Sequence, residues 1–148
     1  MKRLFIFLFF ILGSHFLSAQ DAYVDAVGFR GGPTLGVSYK RFVWPLNGVL
    51  EGIVGFNFQN GRYLHVTGLY EYHLFLNYST NLYGGGGITL GGNSNEFVWQ
   101  LESVVGIEYI LDFLPVNISV DYKPGFRVLD GDFVLNEFGI SLRYILNQ

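Results

Sequence analysis

From residue 23 onward the chain alternates. In the last such run Phe138, Ile140, Leu142, Tyr144 and Leu146 share one parity, while Glu137, Gly139, Ser141 and Arg143 share the other. Successive side chains on a strand point to opposite faces, so this run is a strand with one apolar face and one polar face. The same pattern predicts strands at roughly 23–31, 34–43, 48–58, 62–75, 82–91, 97–111, 115–126 and 133–146. Turn residues fill the breaks: Gly31-Gly32-Pro33, Pro45 to Gly48, Asn60-Gly61, Asn77 to Asn81, Gly91 to Asn95, Asp112 to Pro115, and Pro124 through Asp132. Asn60-Gly61 reads as a two-residue hairpin turn, because both residue types tolerate positive φ.

The first 20 residues follow a different pattern. Lys2 and Arg3 precede an unbroken apolar run from Leu4 to Leu12, and Ser18-Ala19-Gln20 offers a small-residue cleavage site. This predicts a signal peptide over 1–20 and a single domain over 21–148. Nine apolar residues are too few to cross a bilayer as a helix, and no later apolar run approaches the roughly 20 needed. Several predicted strands instead match the roughly 9–11 residues of a tilted membrane-spanning strand. An even number of such strands behind a secretion signal predicts an eight-stranded antiparallel up-and-down transmembrane β-barrel in a Gram-negative outer membrane, with both termini on the periplasmic side.

The two faces set which side meets lipid. In the fourth strand Leu64, Val66, Tyr70, Tyr72 and Leu74 oppose His65, Thr67, Glu71 and His73. In the sixth, Phe97, Trp99, Leu101, Val105, Ile107 and Tyr109 oppose Gln100, Glu102 and Glu108, with Ser103 the polar intruder. A soluble ligand-carrying barrel such as a lipocalin needs the reverse, apolar inside and charged outside. A soluble β-sandwich would expose more charge. On the lipid side a base costs about 2–4 kcal/mol at mid-depth, whereas acids and bases in a narrow lumen neutralise one another. Parity therefore predicts that Arg30, Lys40, Glu51, Glu71, His73, Glu102, Glu108, Asp121, Lys123, Glu137 and Arg143 point inward. Trp44, Phe56, Tyr70, Tyr72, Trp99, Tyr109, Tyr122 and Tyr144 are predicted to form aromatic girdles at the membrane boundary.

Composition narrows the partners. The chain has no Cys, which excludes disulfides, thiolate metal sites and an N-terminal lipid anchor. Loss of residues 1–20 removes Lys2 and Arg3 and leaves 7 Lys and Arg against 12 Asp and Glu, a formal charge of −5. An acidic chain of this kind predicts no nucleic-acid partner, because phosphates demand a basic face.

The chain resembles a group of small outer-membrane β-barrel proteins of Bacteroidetes, known as predicted barrel domains. The resemblance rests on Val27-Gly28-Phe29-Arg30-Gly31-Gly32, Gly36 to Phe42, Leu50-Glu51-Gly52-Ile53, Gly68 to His73, Tyr83 to Gly87, Gly106 to Tyr109, Asp121 to Pro124 and Ser141 to Tyr144. It implies the fold and the compartment, with outer-membrane lipid, lipopolysaccharide and the barrel-assembly machinery as partners. It implies no activity and names no protein partner. Many outer-membrane proteins finish on an aromatic residue, whereas here Ile145-Leu146-Asn147-Gln148 follow Tyr144.

Candidate chemistry is sparse. His65 and His73 share a face but stand eight residues apart, roughly 26 Å along a strand, so they cannot share a metal ion. Lipid A deacylases and palmitoyltransferases are enzymes built on small barrels. A hydrolase of this type needs a nucleophile within reach of a base, and no His-x-Ser pairing follows residue 20. The amphipathic helix of the palmitoyltransferases has no counterpart. Gly84 to Gly87 does not fit a phosphate loop and lies in a strand, where glycine permits kinks and close packing around Tyr83. The sequence predicts a non-enzymatic barrel without cofactor or metal, its lumen filled by an ion-pair network in a structural or interaction role. The alternative is a narrow porin-like path for ions or small solutes along the same charges. A lipid-modifying enzyme is the third reading.

Overall fold

The computed structural model describes residues 23–43, 47–59 and 61–147. The predicted signal peptide over 1–20 and the girdle residue Trp44 lie outside these described residues. The described chain is all-β. Its strand segments are β1 (Asp25–Gly31), β2 (Thr34–Val43), β3 (Gly48–Asn57), β4 (Tyr63–Phe75), β5 (Thr80–Gly92), β6 (Phe97–Ile110), β7 (Val116–Tyr122), β8 (Gly125–Arg127), β9 (Phe133–Val134) and β10 (Phe138–Asn147). Every pairing is antiparallel. The order runs β5-β4-β3-β2-β1-β10-β7-β6, and β6 pairs back with β5, so the sheet closes on itself.

Ten segments make eight staves because the last two staves are interrupted. β7 and β8 keep one register against β6: Val105 faces Tyr122 and Glu102 faces Gly125 on the same diagonal. Pro124 falls between them and has no N–H for the ladder. The Ser103 N–H still donates to the Pro124 carbonyl at 3.0 Å. The eighth stave, β9 with β10, changes phase. Gly125 faces Val134, yet the Lys123 N–H donates to the Glu137 carbonyl at 2.8 Å. Three steps on this stave oppose two on its neighbour, which is a β-bulge at Leu135-Asn136. Val134 and Glu137 consequently both turn inward.

Most strand limits fall within a residue of the sequence expectation, and two strand starts and one turn differ for identifiable reasons. The first strand starts at Asp25 rather than 23, because Tyr23 turns into the barrel and its hydroxyl donates to Glu108 at 3.1 Å. The fifth starts at Thr80 rather than 82. There the Asn77 side-chain oxygen accepts the N–H groups of Ser79 and Thr80 at 2.9 and 2.8 Å, so the chain reverses at once. The connection around Gly61 is not a two-residue turn: Asn57 and Tyr63 form the last pair, leaving 58–62 between them, with positive φ at Gly61 and Arg62.

The described ends of the chain, Tyr23 and Asn147, lie at one end of the barrel, the terminal end, together with Asn47 and the connections 76–79 and 111–115. The tips at 32–33, 93–96 and 128–132, with Phe58, Gln59, Gly61 and Arg62, lie at the opposite end. Between these ends the close approach of β4 and β5 depends on glycine. A Cβ on Gly85 would stand 2.0 Å from the Tyr70 carbonyl oxygen, and one on Gly87 would stand 1.9 Å from that of Gly68. Outward-facing Gly52 and Gly68, by contrast, have nothing within 4 Å of a Cβ position. Gly87→Val is therefore expected to destabilise the barrel by about 1–3 kcal/mol through overpacking, and Gly52→Ala to leave it nearly unchanged. Urea-unfolding midpoints of the two variants, read by intrinsic fluorescence, check this.

Candidate functional site: the filled lumen and the apolar exterior

All eleven charged or histidine residues expected to point inward are buried in the barrel interior, none more than 8% exposed. They form two groups and one separate contact. The larger group lies toward the terminal end and centres on Arg143, whose register partners are Gly28 and Asn117. Its guanidinium donates to Ser38 Oγ at 2.6 Å, to Ser119 Oγ at 2.8 Å and to Glu51 Oε1. Lys40 Nζ sits 2.8 Å from Glu71 and 3.9 Å from both Glu51 and Glu108. Glu71 also meets His73 Nε2 at 3.0 Å. Tyr23 closes this layer from below on Glu108.

Tyr83 links this group to the next pair. Its ring stacks on His73, with centroids 5.0 Å apart and planes within 9°, and Lys40 Nζ lies 3.9 Å above it. Its hydroxyl donates to Asp121 at 3.0 Å. Asp121 in turn receives both terminal nitrogens of Arg30 at 2.6 Å, a bidentate pair. Inward Gly106 makes room for Tyr83, because a Cβ there would lie 2.5 Å from the ring.

The second group fills the half toward the opposite end. Lys123 Nζ donates to Glu102 at 2.8 Å, Gln100 donates to the same carboxylate at 2.9 Å and Thr89 at 2.8 Å. Thr89 Oγ1 and Thr67 Oγ1 are 2.5 Å apart, and Thr67 meets His65 Nδ1 at 3.2 Å. Glu137 accepts from Thr34 at 2.6 Å. His65 and His73 thus belong to different groups, and among the described residues no three His, Asp or Glu side chains converge as a metal site. Thr67 and His65 do make the hydroxyl–imidazole contact that no His-x-Ser spacing announced. Both are buried and engaged with their neighbours in a packed row.

Apolar side chains share the lumen. Ile53, Leu69, Tyr83 and Val104 pack together along β3 to β6, and Tyr23, Ala26, Ile110 and Ile145 form a cluster at the terminal end with Phe42 against it. Alternation places Thr67, Gln100 and Ser119 on the polar face without assigning them a role, and Tyr23, Ser38 and Thr89 are not singled out at all. Most were legible by parity, since they occupy the same inward phase as the acids and bases. Tyr23 was not, because it leaves the strand phase.

The exterior is the reverse. Among the described strand residues, outward charge is confined to Asp25 and Arg41, which face each other across β1 and β2 at the terminal end. Asp25 is covered by Tyr39, whose hydroxyl donates to it at 3.0 Å, and by the Asn147 amide at 2.6 Å. Ser103 stands outward at mid-height and returns its hydroxyl to the Pro124 carbonyl at 3.3 Å. Of the aromatics expected to form girdles, Tyr70, Tyr72, Tyr109 and Tyr144 stand outward toward the terminal end, while Phe56 and Trp99 stand outward toward the other. Tyr122 lies at mid-height against Phe138, at a centroid distance of 4.9 Å, because its stave continues to Arg127.

The molecule is a closed eight-stranded antiparallel β-barrel with a packed, charged interior and an apolar outer wall. Comparison with known proteins finds no family model, no curated protein and no solved structure that matches the chain.

Removing Arg143 alone leaves Glu51 buried without its guanidinium. Breaking a buried pair from one side costs about 3–5 kcal/mol, while replacing both partners with apolar residues is often neutral. Arg143→Met should therefore lower stability by that amount, and Arg143→Met with Glu51→Met should restore much of it. A double-mutant cycle in urea checks this.

Proposed function

We propose that this chain is an exported outer-membrane barrel with a structural or interaction role, its lumen filled rather than open. The observation that carries the reading is the distribution of charge. Four buried cations and six acids lie inside the barrel, with half-buried Arg127 on the same inward face over Tyr63, while outward charge among the described strand residues is confined to one register pair at the terminal end. Large side chains such as Phe29, Leu64, Val105, Ile140 and Leu142 stand outward with more than half their surface free. A contiguous apolar wall of this extent marks a surface made for an apolar environment. A closed barrel meets the requirement that each backbone polar group in hydrocarbon be satisfied within the protein. The apolar run at 4–12 and the resemblance to small Bacteroidetes barrels point to the same compartment, with lipid and lipopolysaccharide around the wall and the assembly machinery acting during insertion.

The filled-lumen reading takes precedence over a porin-like path because the inward charges are already engaged. Arg30 is held at both terminal nitrogens by Asp121, Arg143 is held by three partners, and Lys40 Nζ is ion-paired with Glu71 with two further carboxylates 3.9 Å away. An eight-stranded barrel has an interior just wide enough for side chains to fill it. No catalytic role is proposed.

The refolded protein in a planar bilayer should give no discrete conductance steps, and heat-shifted gel mobility should report a folded barrel. Glu102→Gln and Glu108→Gln should lower the temperature of the mobility shift and leave the trace silent. Salt-dependent steps whose ion selectivity changes in these variants would establish the channel instead.

A further inference from the structure

The outer wall is not uniformly convex. Gly52 and Gly68 face each other across β3 and β4, flanked in the same row by Tyr39 and Ile88, with Gly86 one step away opposite Tyr70. These glycines form the floor of a hollow of about 750 Å³, within the roughly 300–1,000 Å³ typical of ligand sites. Neighbouring side chains do not fill it. The Tyr39 hydroxyl is drawn to Asp25, and the Tyr70 hydroxyl lies over Gly48, 2.5 Å from where a Cβ would stand. Both rings lean toward the terminal end and leave the floor open. The two glycine-floored staves span about 10 Å, enough for a single alkyl chain.

Arg41 stands on the rim of this hollow, one step nearer the terminal end than Tyr39. It is the outward cation of the described strand residues, and among them no side chain forms a hydrogen bond or ion pair with it. Its register partner Asp25 is occupied by Tyr39 and Asn147. Two other exterior hollows, beside Gly32-Pro33 and beside Pro124, have no Lys or Arg in their walls. One cation stands at the end of an apolar groove, on a wall whose other outward charge, Asp25, is covered by Tyr39 and Asn147, and this matches a molecule with one anionic head and an alkyl tail.

We propose that this groove seats one acyl chain of an anionic phospholipid from the leaflet at the terminal end, with its phosphate on Arg41. The assignment rests on the membrane reading above. It gives the barrel a fixed lipid on the β2–β5 side of its wall, in addition to the lipid that merely surrounds it. The head supplies the acceptor oxygens that match a guanidinium fork, and the tail covers Gly52 and Gly68, where no described residue beyond the chain neighbours comes within 4 Å of a Cβ position.

The test uses the folded full chain, delipidated in detergent micelles and titrated with dioleoylphosphatidylglycerol or dioleoylphosphatidylcholine under native mass spectrometry. One phosphatidylglycerol should be retained about tenfold more tightly than phosphatidylcholine, the increment expected of a charge-assisted contact. Arg41→Gln should abolish that preference, and Gly68→Leu, which fills open space, should weaken both lipids. Equal retention of the two lipids by the unaltered protein would overturn the proposal, as would unchanged retention in Gly68→Leu. A dimer that Gly68→Leu disperses would overturn it in favour of a second copy of the chain. Heat-shifted mobility of each variant shows that it is folded. Failure of the folded protein to float with phosphatidylglycerol vesicles would remove the membrane reading itself, a result separate from the loss of lipid selectivity.

Discussion

A closed sheet with charge on its inner face must neutralise that charge within the space it encloses, and this constraint governs the molecule. Arg143 and Lys40 sit among Glu51, Glu71 and Glu108 with no route to solvent for their charge. Such an arrangement is tolerable only if each group finds its partner at close range and the remaining donors are satisfied. Ser38 and Ser119 take two guanidinium hydrogens, and Tyr23 satisfies Glu108 from the terminal end. The interior is therefore a set of mutual obligations across staves, and the wall's geometry is the frame that makes them meet.

That frame is tuned by where side chains are missing. Gly85 and Gly87 let β4 and β5 approach, and Gly106 leaves room for the Tyr83 ring that bridges His73, Lys40 and Asp121. On the outer face the same residue type has the opposite effect, opening a hollow at Gly52 and Gly68. Glycine thus sets the thickness of the wall from both sides. The Pro124 gap and the Leu135-Asn136 bulge interrupt regular pairing toward the end opposite the termini, and a register shift between Asp25 and Ala26 against β10 does so at the terminal end.

Most of this architecture was legible from parity. Eight alternating runs become eight staves, and the charged positions fall in the inward phase, because a period of two leaves little freedom once one face is apolar. What escaped is local. Tyr23 falls within the expected first strand, but it leaves the strand phase and folds inward to reach a carboxylate 85 residues away. Gly61 takes a positive φ, but so does Arg62, and Asn57 and Tyr63 end the pairing early, so the connection is longer than a two-residue turn; Asn60 lies outside the described residues. The interruptions of the last two staves follow from one missing N–H and one extra residue, neither of which disturbs alternation enough to be seen in it. The partners within the lumen were beyond the sequence altogether, since contacts such as Arg30 with Asp121 span 91 positions and depend on closure.

Closure itself joins the first strand to the last, with Ala26 opposite Ile145 and Arg30 opposite Ser141. The larger ionic group draws a member from each of β2, β3, β4, β6 and β10, so it cannot be completed in any fragment that lacks the last strand. Until β10 arrives, Glu51 and Glu108 lack their guanidinium. Lys40 with Glu71 and Lys123 with Glu102 need no residue of β10, so what the final stave adds to the larger group is the guanidinium that locks it into one layer.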